Sequence, residues 1–271
     1  MDNRPIGVFD SGLGGLTAVQ KLMELLPNED IIYLGDTGRV PYGGRSRETI
    51  IKYARQDIAF LTSFDIKAIV IACGTVSTTA MGEIENDYDL PIVGVVRPAV
   101  EKAVKVTKNK RIGLIGTVAS IKSKAYDKLL LEKMPDAEVF SAACPLLVPL
   151  VENGRIHRGD IMIETAVREY LAPIKEQGVD TLILGCTHYP LIGEVIGDFM
   201  GEEVTLVSPG AETAAYVAEL LEKNGLSAET GRTASHRYFV TDSVDDFSSA
   251  ASLFLCQDVR GEVSKVDLNN F

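Results

Sequence analysis

The stretch IGVFDSGLGGLTAVQKLMELL, residues 6–26, decides the fold. Ile6 to Phe9 is a short apolar run, and it ends in a small polar turn, Asp10-Ser11-Gly12. Leu16, Val19, Leu22, Met23 and Leu26 then recur at helical spacing. A strand followed at once by an amphipathic helix is the unit of a parallel α/β sheet. The same unit recurs along the chain. Further strand-like runs are Ile31 to Leu34, Ala68 to Ala72, Ile92 to Val96, Ile112 to Ile115, Ala137 to Phe140, Thr181 to Leu184, Val204 to Val207 and Tyr238 to Val240. Ala214, Val217, Ala218 and Leu221 form another helical face. Such alternation predicts parallel sheets covered by helices on both faces. These sheets bind ligands at the carboxyl ends of their strands, so the residue after each strand is the informative one.

A weak internal repeat runs through the pattern. Ile6-Gly7-Val8-Phe9 resembles Ile112-Gly113-Leu114-Ile115, and each leads into a small polar turn. Later in each unit a strand ends at a cysteine: Cys73 in VIACGT and Cys186 in LILGCTH. Pro98 and Pro209 then close comparable apolar runs. The expected architecture is α/β, with two pseudo-symmetric doubly wound domains facing one cleft. Residues 1–97 plus 208–271 form the domain carrying Cys73, and residues 98–207 form the domain carrying Cys186. The tail SKVDLNNF is expected to add an edge strand to the first.

Composition narrows the partners. The chain has 271 residues, with 27 Lys and Arg against 38 Asp and Glu, and a formal net charge of −11. That balance disfavours nucleic acid and anionic membranes, which need a basic patch. It leaves room for a small acidic substrate held by a few local donors. No apolar run approaches the ~18 residues of a membrane span. MDNRPIGVFD shows neither the basic nor the apolar region of a secretion signal, so the expected compartment is the cytosol. The four cysteines (Cys73, Cys144, Cys186 and Cys256) form no C-x-x-C pair. A disulfide scaffold and a zinc site are therefore not expected. Cys144 and Cys256 read as buried small hydrophobes, and His157 and His236 as surface residues.

Two thiols at matching strand ends have three possible uses. A disulfide fits a reducing compartment poorly. Nucleophilic catalysis needs one cysteine and a base, not two cysteines. Proton abstraction on one face of a carbon and delivery on the other uses both, and it inverts a stereocentre. Free cysteine, with a pKa of about 8.5, suits either role once its surroundings tune it. Thr75 and Thr187 lie close after the two cysteines, His188 follows Thr187, and Asp10 ends the first strand; all are candidate partners. The glycine loop fails the G-x-G-x-x-G dinucleotide fingerprint because Thr17 stands where the last glycine is needed. Its glycines serve either a small anion or close packing, with equal weight. In GDTGRVPYGGRSR (35–47), Asp36, Pro41, Tyr42 and Gly43 fall where such sheets place ligands.

FDSGLGG (9–15), GDTGRVPYG (35–43), IACGT (71–75), CPLLVPLVENG (144–154) and GCTHYPLI (185–192) together resemble the glutamate racemases of the aspartate/glutamate racemase superfamily. The resemblance implies interconversion of L- and D-glutamate, supplying D-glutamate for peptidoglycan, without cofactor or metal. It implies Cys73 and Cys186 as the two acid/base residues, with Asp10 supporting the first and Glu152 and His188 the second. It further implies substrate contacts from Asp10, Ser11, Tyr42, Gly43, Gly74, Thr75, Thr187 and His188. Thr117 and Ser120 stand where the family holds a carboxylate. Gly74 occupies a position at which the family usually has Asn. A homodimer is the expected assembly. A relative acting on aspartate, a hydantoin or maleate, or a non-catalytic dicarboxylate binder, is the alternative.

Overall fold

The computed structural model describes residues 1–255, 259 and 262–271, so the expectation for Cys256 lies outside the described residues. The strands are β1 (Ile6–Asp10), β2 (Ile31–Gly35), β3 (Ala68–Ile71), β4 (Ile92–Gly94), β5 (Arg111–Gly116), β6 (Glu138–Ala143), β7 (Thr181–Gly185), β8 (Thr205–Val207), β9 (His236–Val240) and β10 (Val263–Lys265). One sheet has the order β10-β9-β2-β1-β3-β4, and the other β6-β5-β7-β8. Every pairing in both sheets is parallel. The order β2-β1-β3-β4 matches β6-β5-β7-β8 strand for strand, which is the repeat read from Gly7 and Gly113.

The middles of the central strands are apolar because helices cover both of their faces. All five residues of β1 and of β7 are buried. Burying one such Val, Ile or Leu side chain contributes about 1.5–3 kcal/mol, so a charge at Val8 would break the first sheet. Helix α1 (Leu16–Leu25) begins straight after the glycine turn and buries Leu16, Thr17, Ala18, Val19 and Leu22. It packs against the helix Pro209–Lys223, where Gly210 lets the two backbones approach: a Cβ there would lie 3.2 Å from the Ala18 Cα. Among the described residues no helix is long and apolar enough to cross a membrane.

Three expectations shift. The run Ile92 to Val96 is strand only through Gly94, and Val96 already begins a helix containing Pro98. Proline in a first helical turn forfeits no hydrogen bond, so it starts the helix rather than closing the strand. The tail does supply the edge strand β10, paired with β9, but it begins at Val263. His236 is not a surface residue: it lies half-buried in β9, between β2 and β10. Burial there lowers its pKa. His157 is exposed, as expected.

Candidate active site

The carboxyl ends of the two sheets meet around one cavity of about 540 Å³, within the ordinary range for a small ligand. Its walls come from residues just past β1 (Ser11, Gly12), β3 (Cys73, Gly74, Thr75), β5 (Thr117), β6 (Cys144) and β7 (Cys186, Thr187, His188). Asp10, Tyr42, Gly43 and Glu152 complete the predicted set that lines it. Parallel strands make this convergence geometric: every strand presents its turn at the same edge, and two such edges face each other.

Cys73 is the N-cap of the helix Gly74–Thr79 and is 3% exposed. Its Sγ lies 3.4 Å from the Ser11 hydroxyl. Burial, reinforced by the Asp10 charge, pushes its thiol up to about 12, against the Ser11 hydroxyl and the Val76 N–H. Asp10 is buried at the end of β1, and its Oδ2 accepts the Gly12 N–H at 2.9 Å. Burial raises its pKa, opposed by His188, the Gly15 and Gly12 N–H groups and the Cys73 thiol. The Gly12 carbonyl in turn accepts the Tyr33 hydroxyl at 2.8 Å, which fixes the turn.

Cys186 is 7% exposed and has a different escort. Its Sγ lies 3.7 Å from His188 Nδ1, and His188 Nε2 lies 2.9 Å from Glu152 Oε1. Burial alone would lower the His188 pKa, but Cys186 and Glu152 outweigh it and carry it up to about 10. Thiol, imidazole and carboxylate thus stand in a line along the cavity wall, ending at the Glu152 side chain, which is 41% exposed.

A line of hydroxyls joins the two sheets beside the cavity. Thr75 Oγ1 lies 3.2 Å from Thr117 Oγ1, which lies 3.0 Å from the Ser120 hydroxyl. Among the described residues no Lys or Arg lines the cavity, so an acidic ligand would meet hydroxyls, backbone N–H groups and His188. No group of three or more His, Cys, Asp or Glu among those residues is placed to hold a metal ion.

The geometry amends several expectations. Ser120 does not line the cavity; it stands behind Thr117, bonded to it through side chain and backbone. Tyr42 lines the cavity, but its hydroxyl donates to Asp36 and, at 3.2 Å, to Asp57. Asp36 is likewise no cavity residue, being held by Arg39 and by the Thr241 hydroxyl. Arg39 reaches Asp57 at 2.9 Å, so this buried cluster fixes the Pro41–Gly44 segment of the wall. Gly74 packs closely: a Cβ there would lie 2.9 Å from the Gly185 carbonyl oxygen unless one of the two turns shifts. The two cysteine-bearing turns thus touch backbone to backbone.

Cys144 is fully buried as expected, yet it also lines the cavity with Val148 and Pro149. A signal for it existed, because it follows β6 directly. The strand runs beyond the expected Ala137 to Phe140, through Ser141, Ala142 and Ala143, which are weak strand formers. Pairing with Leu114 to Gly116 of β5 carries them.

The comparisons with known proteins agree with this geometry. The Asp/Glu/hydantoin racemase family model matches residues 16–217. A glutamate racemase from Geobacter metallireducens is 44% identical over 265 residues, covering 98% of this chain and 97% of that protein. The crystal structure of the glutamate racemase isoform RacE1 from Bacillus anthracis superposes with a TM-score of 0.94 at 38% identity, covering 99% of each chain. That of the Francisella tularensis glutamate racemase in complex with D-glutamate gives 0.92 at 39% identity, covering 100% of each. The chain belongs to the Asp/Glu/hydantoin racemase family, among its glutamate racemases.

Proposed function

We propose that the protein interconverts L- and D-glutamate by a two-base route in which Cys73 and Cys186 exchange the α-proton. One observation carries this reading: two buried cysteines, from equivalent strand ends of two like-ordered sheets, line one cavity. In the proposed step one thiolate takes the proton as the Cα–H bond breaks. The electron pair remains on the substrate as a carbanion, and the opposite thiol delivers its proton to the other face. The starting α-hydrogen is a very weak acid, so the site must stabilise the developing charge. Ser11, Thr75, Thr117 and Thr187 would supply donors to the carboxylates, and burial makes each donor count for more than it would in water. The route draws on no cofactor or metal.

Asp10 is assigned to tune Cys73, and His188 with Glu152 to carry protons to and from Cys186. The segments 1–97 with 208–271, and 98–207, act in this reading as two walls that close on the substrate and bring each sulfur within about 3–3.5 Å of the reacting carbon. A cytoplasmic homodimer that supplies D-glutamate for peptidoglycan completes the proposal, supported by the family resemblance. The test is incubation with L- or D-glutamate in D2O. Loss of the α-proton signal together with optical rotation is expected for the intact protein and for neither Cys73→Ala nor Cys186→Ala. Near-normal racemisation by either variant would overturn the assignment.

A further inference from the structure

The 3₁₀ turn Tyr189–Ile192 follows Cys186, and its bonds show a gap. The Tyr189 N–H reaches the Cys186 carbonyl at 3.1 Å, and the Leu191 N–H reaches the His188 carbonyl at 3.2 Å. The bond between these two would run from residue 190 to the Thr187 carbonyl, but Pro190 has no N–H to give. A buried carbonyl left without a donor is costly. The donor comes instead from the other sheet's side of the cleft: the Thr17 hydroxyl, on α1, lies 2.9 Å from the Thr187 oxygen. The same hydroxyl lies 2.9 Å from the Gly14 carbonyl, which already accepts the Thr17 N–H at 3.1 Å. Its proton is therefore free to serve Thr187.

Gly14, in the same turn, makes room for this contact. A Cβ on it would fall 2.2 Å from Thr187 Oγ1 and 2.6 Å from His188 Nδ1. Neither Gly14 nor Thr17 lines the cavity. We propose that Thr17, seated by Gly14, is a positioning residue for the Cys186 side of the reaction: its hydroxyl replaces the hydrogen bond that Pro190 withholds and sets Thr187 and His188 beside the sulfur. This rests on the reading of Cys186 as one of the two bases.

The test compares Thr17→Val, which keeps shape and loses the hydroxyl, with Thr17→Ser, which keeps it. Thr17→Val is expected to lower kcat/KM about 10- to 100-fold in both directions, because the equilibrium constant ties them. Primary isotope effects with α-deuterated D- and L-glutamate then separate the two thiols. The effect should rise for the enantiomer whose proton Cys186 removes. It should fall toward unity for the mirror image, where Cys186 only delivers. Thr17→Ser should restore the rate to within a few-fold of the parent. The double variant Thr17→Val/Pro190→Ala, which returns an N–H to position 190, should recover part of the loss. If Thr17→Val folds poorly, that double variant and Thr17→Ser still decide the matter. A Thr17→Val enzyme with near-normal kcat/KM, or with isotope effects changed equally for both enantiomers, overturns the proposal. A Cys186→Ala variant that still racemises overturns the underlying reading instead.

Discussion

Cys73 and Cys186 stand at equivalent ends of β3 and β7, yet their surroundings share little. Cys73 faces a hydroxyl and a buried carboxylate, Ser11 and Asp10, and burial with the Asp10 charge holds it as a thiol. Cys186 faces an imidazole backed by a half-exposed carboxylate. The lesson is that a repeated backbone places two like atoms, while unrelated side chains set the proton inventory of each. In the proposed reaction one side would hold a proton and the other would exchange it.

The largest effect that would test this contrast is removal of either sulfur. Cys73→Ala and Cys186→Ala should each cost on the order of 10²–10⁴-fold or more in racemisation, measured by circular dichroism from both enantiomers. Asp10→Asn comes next, with an expected loss of about 10- to 100-fold. Because the Asp10 charge helps raise the Cys73 pKa, the variant's Cys73 should react with iodoacetamide at lower pH. An unchanged pH profile would cut the link between them. Gly74→Ala follows. Its methyl would press on the Gly185 carbonyl at 2.9 Å, and relief of such overpacking costs about 1–3 kcal/mol, read as a lower Tm and a slower rate in both directions.

His188→Asn sharpens the other side of the comparison. The folded-state value of His188 is raised from 6.5 to about 10, so its contribution to stability is fully present below pH 6.5 and is lost as the pH climbs through about 10. The difference in unfolding free energy between parent and variant should therefore narrow over that window, measured by urea denaturation. Glu152→Gln should slow racemisation only a few-fold, since water reaches its half-exposed carboxylate. Smallest of all is Ser120→Ala. Ser120 sits behind Thr117, so losing its hydroxyl should change KM for glutamate by less than about fivefold.

Much of the architecture was legible in the chain. Apolar runs such as Ile6 to Phe9 and Leu182 to Leu184 named the central strands because both their faces are covered, which leaves few polar residues to blur the reading. Edge strands were harder. β6 is flanked by a strand on one side only, and its last three residues owe their conformation to β5. Asp10, Cys73, Thr75, Cys186, Thr187 and His188 were legible because parallel strands put functional residues at their carboxyl ends, whereas Ser11, Gly74, Thr117 and Glu152 were implied only by the family resemblance. The Tyr42 hydroxyl's direction depends on Asp36 and Asp57, and Ser120 turns its hydroxyl to Thr117 three residues before it; which partner a hydroxyl takes is a packing outcome that strand-end position does not encode.

The residue order alone determined that this chain makes parallel α/β sheets, that two units repeat, and that Cys73 and Cys186 end matching strands. Local periodicity and turn chemistry carry that information, and they act over a few residues at a time. Only the tertiary structure decided that the Gly74 turn touches the Gly185 backbone, that Cys144 joins the wall, and that the Thr17 hydroxyl reaches the Thr187 carbonyl. Those contacts join residues far apart in the chain, and no local pattern encodes which buried donor will meet which orphaned acceptor once two sheets face each other.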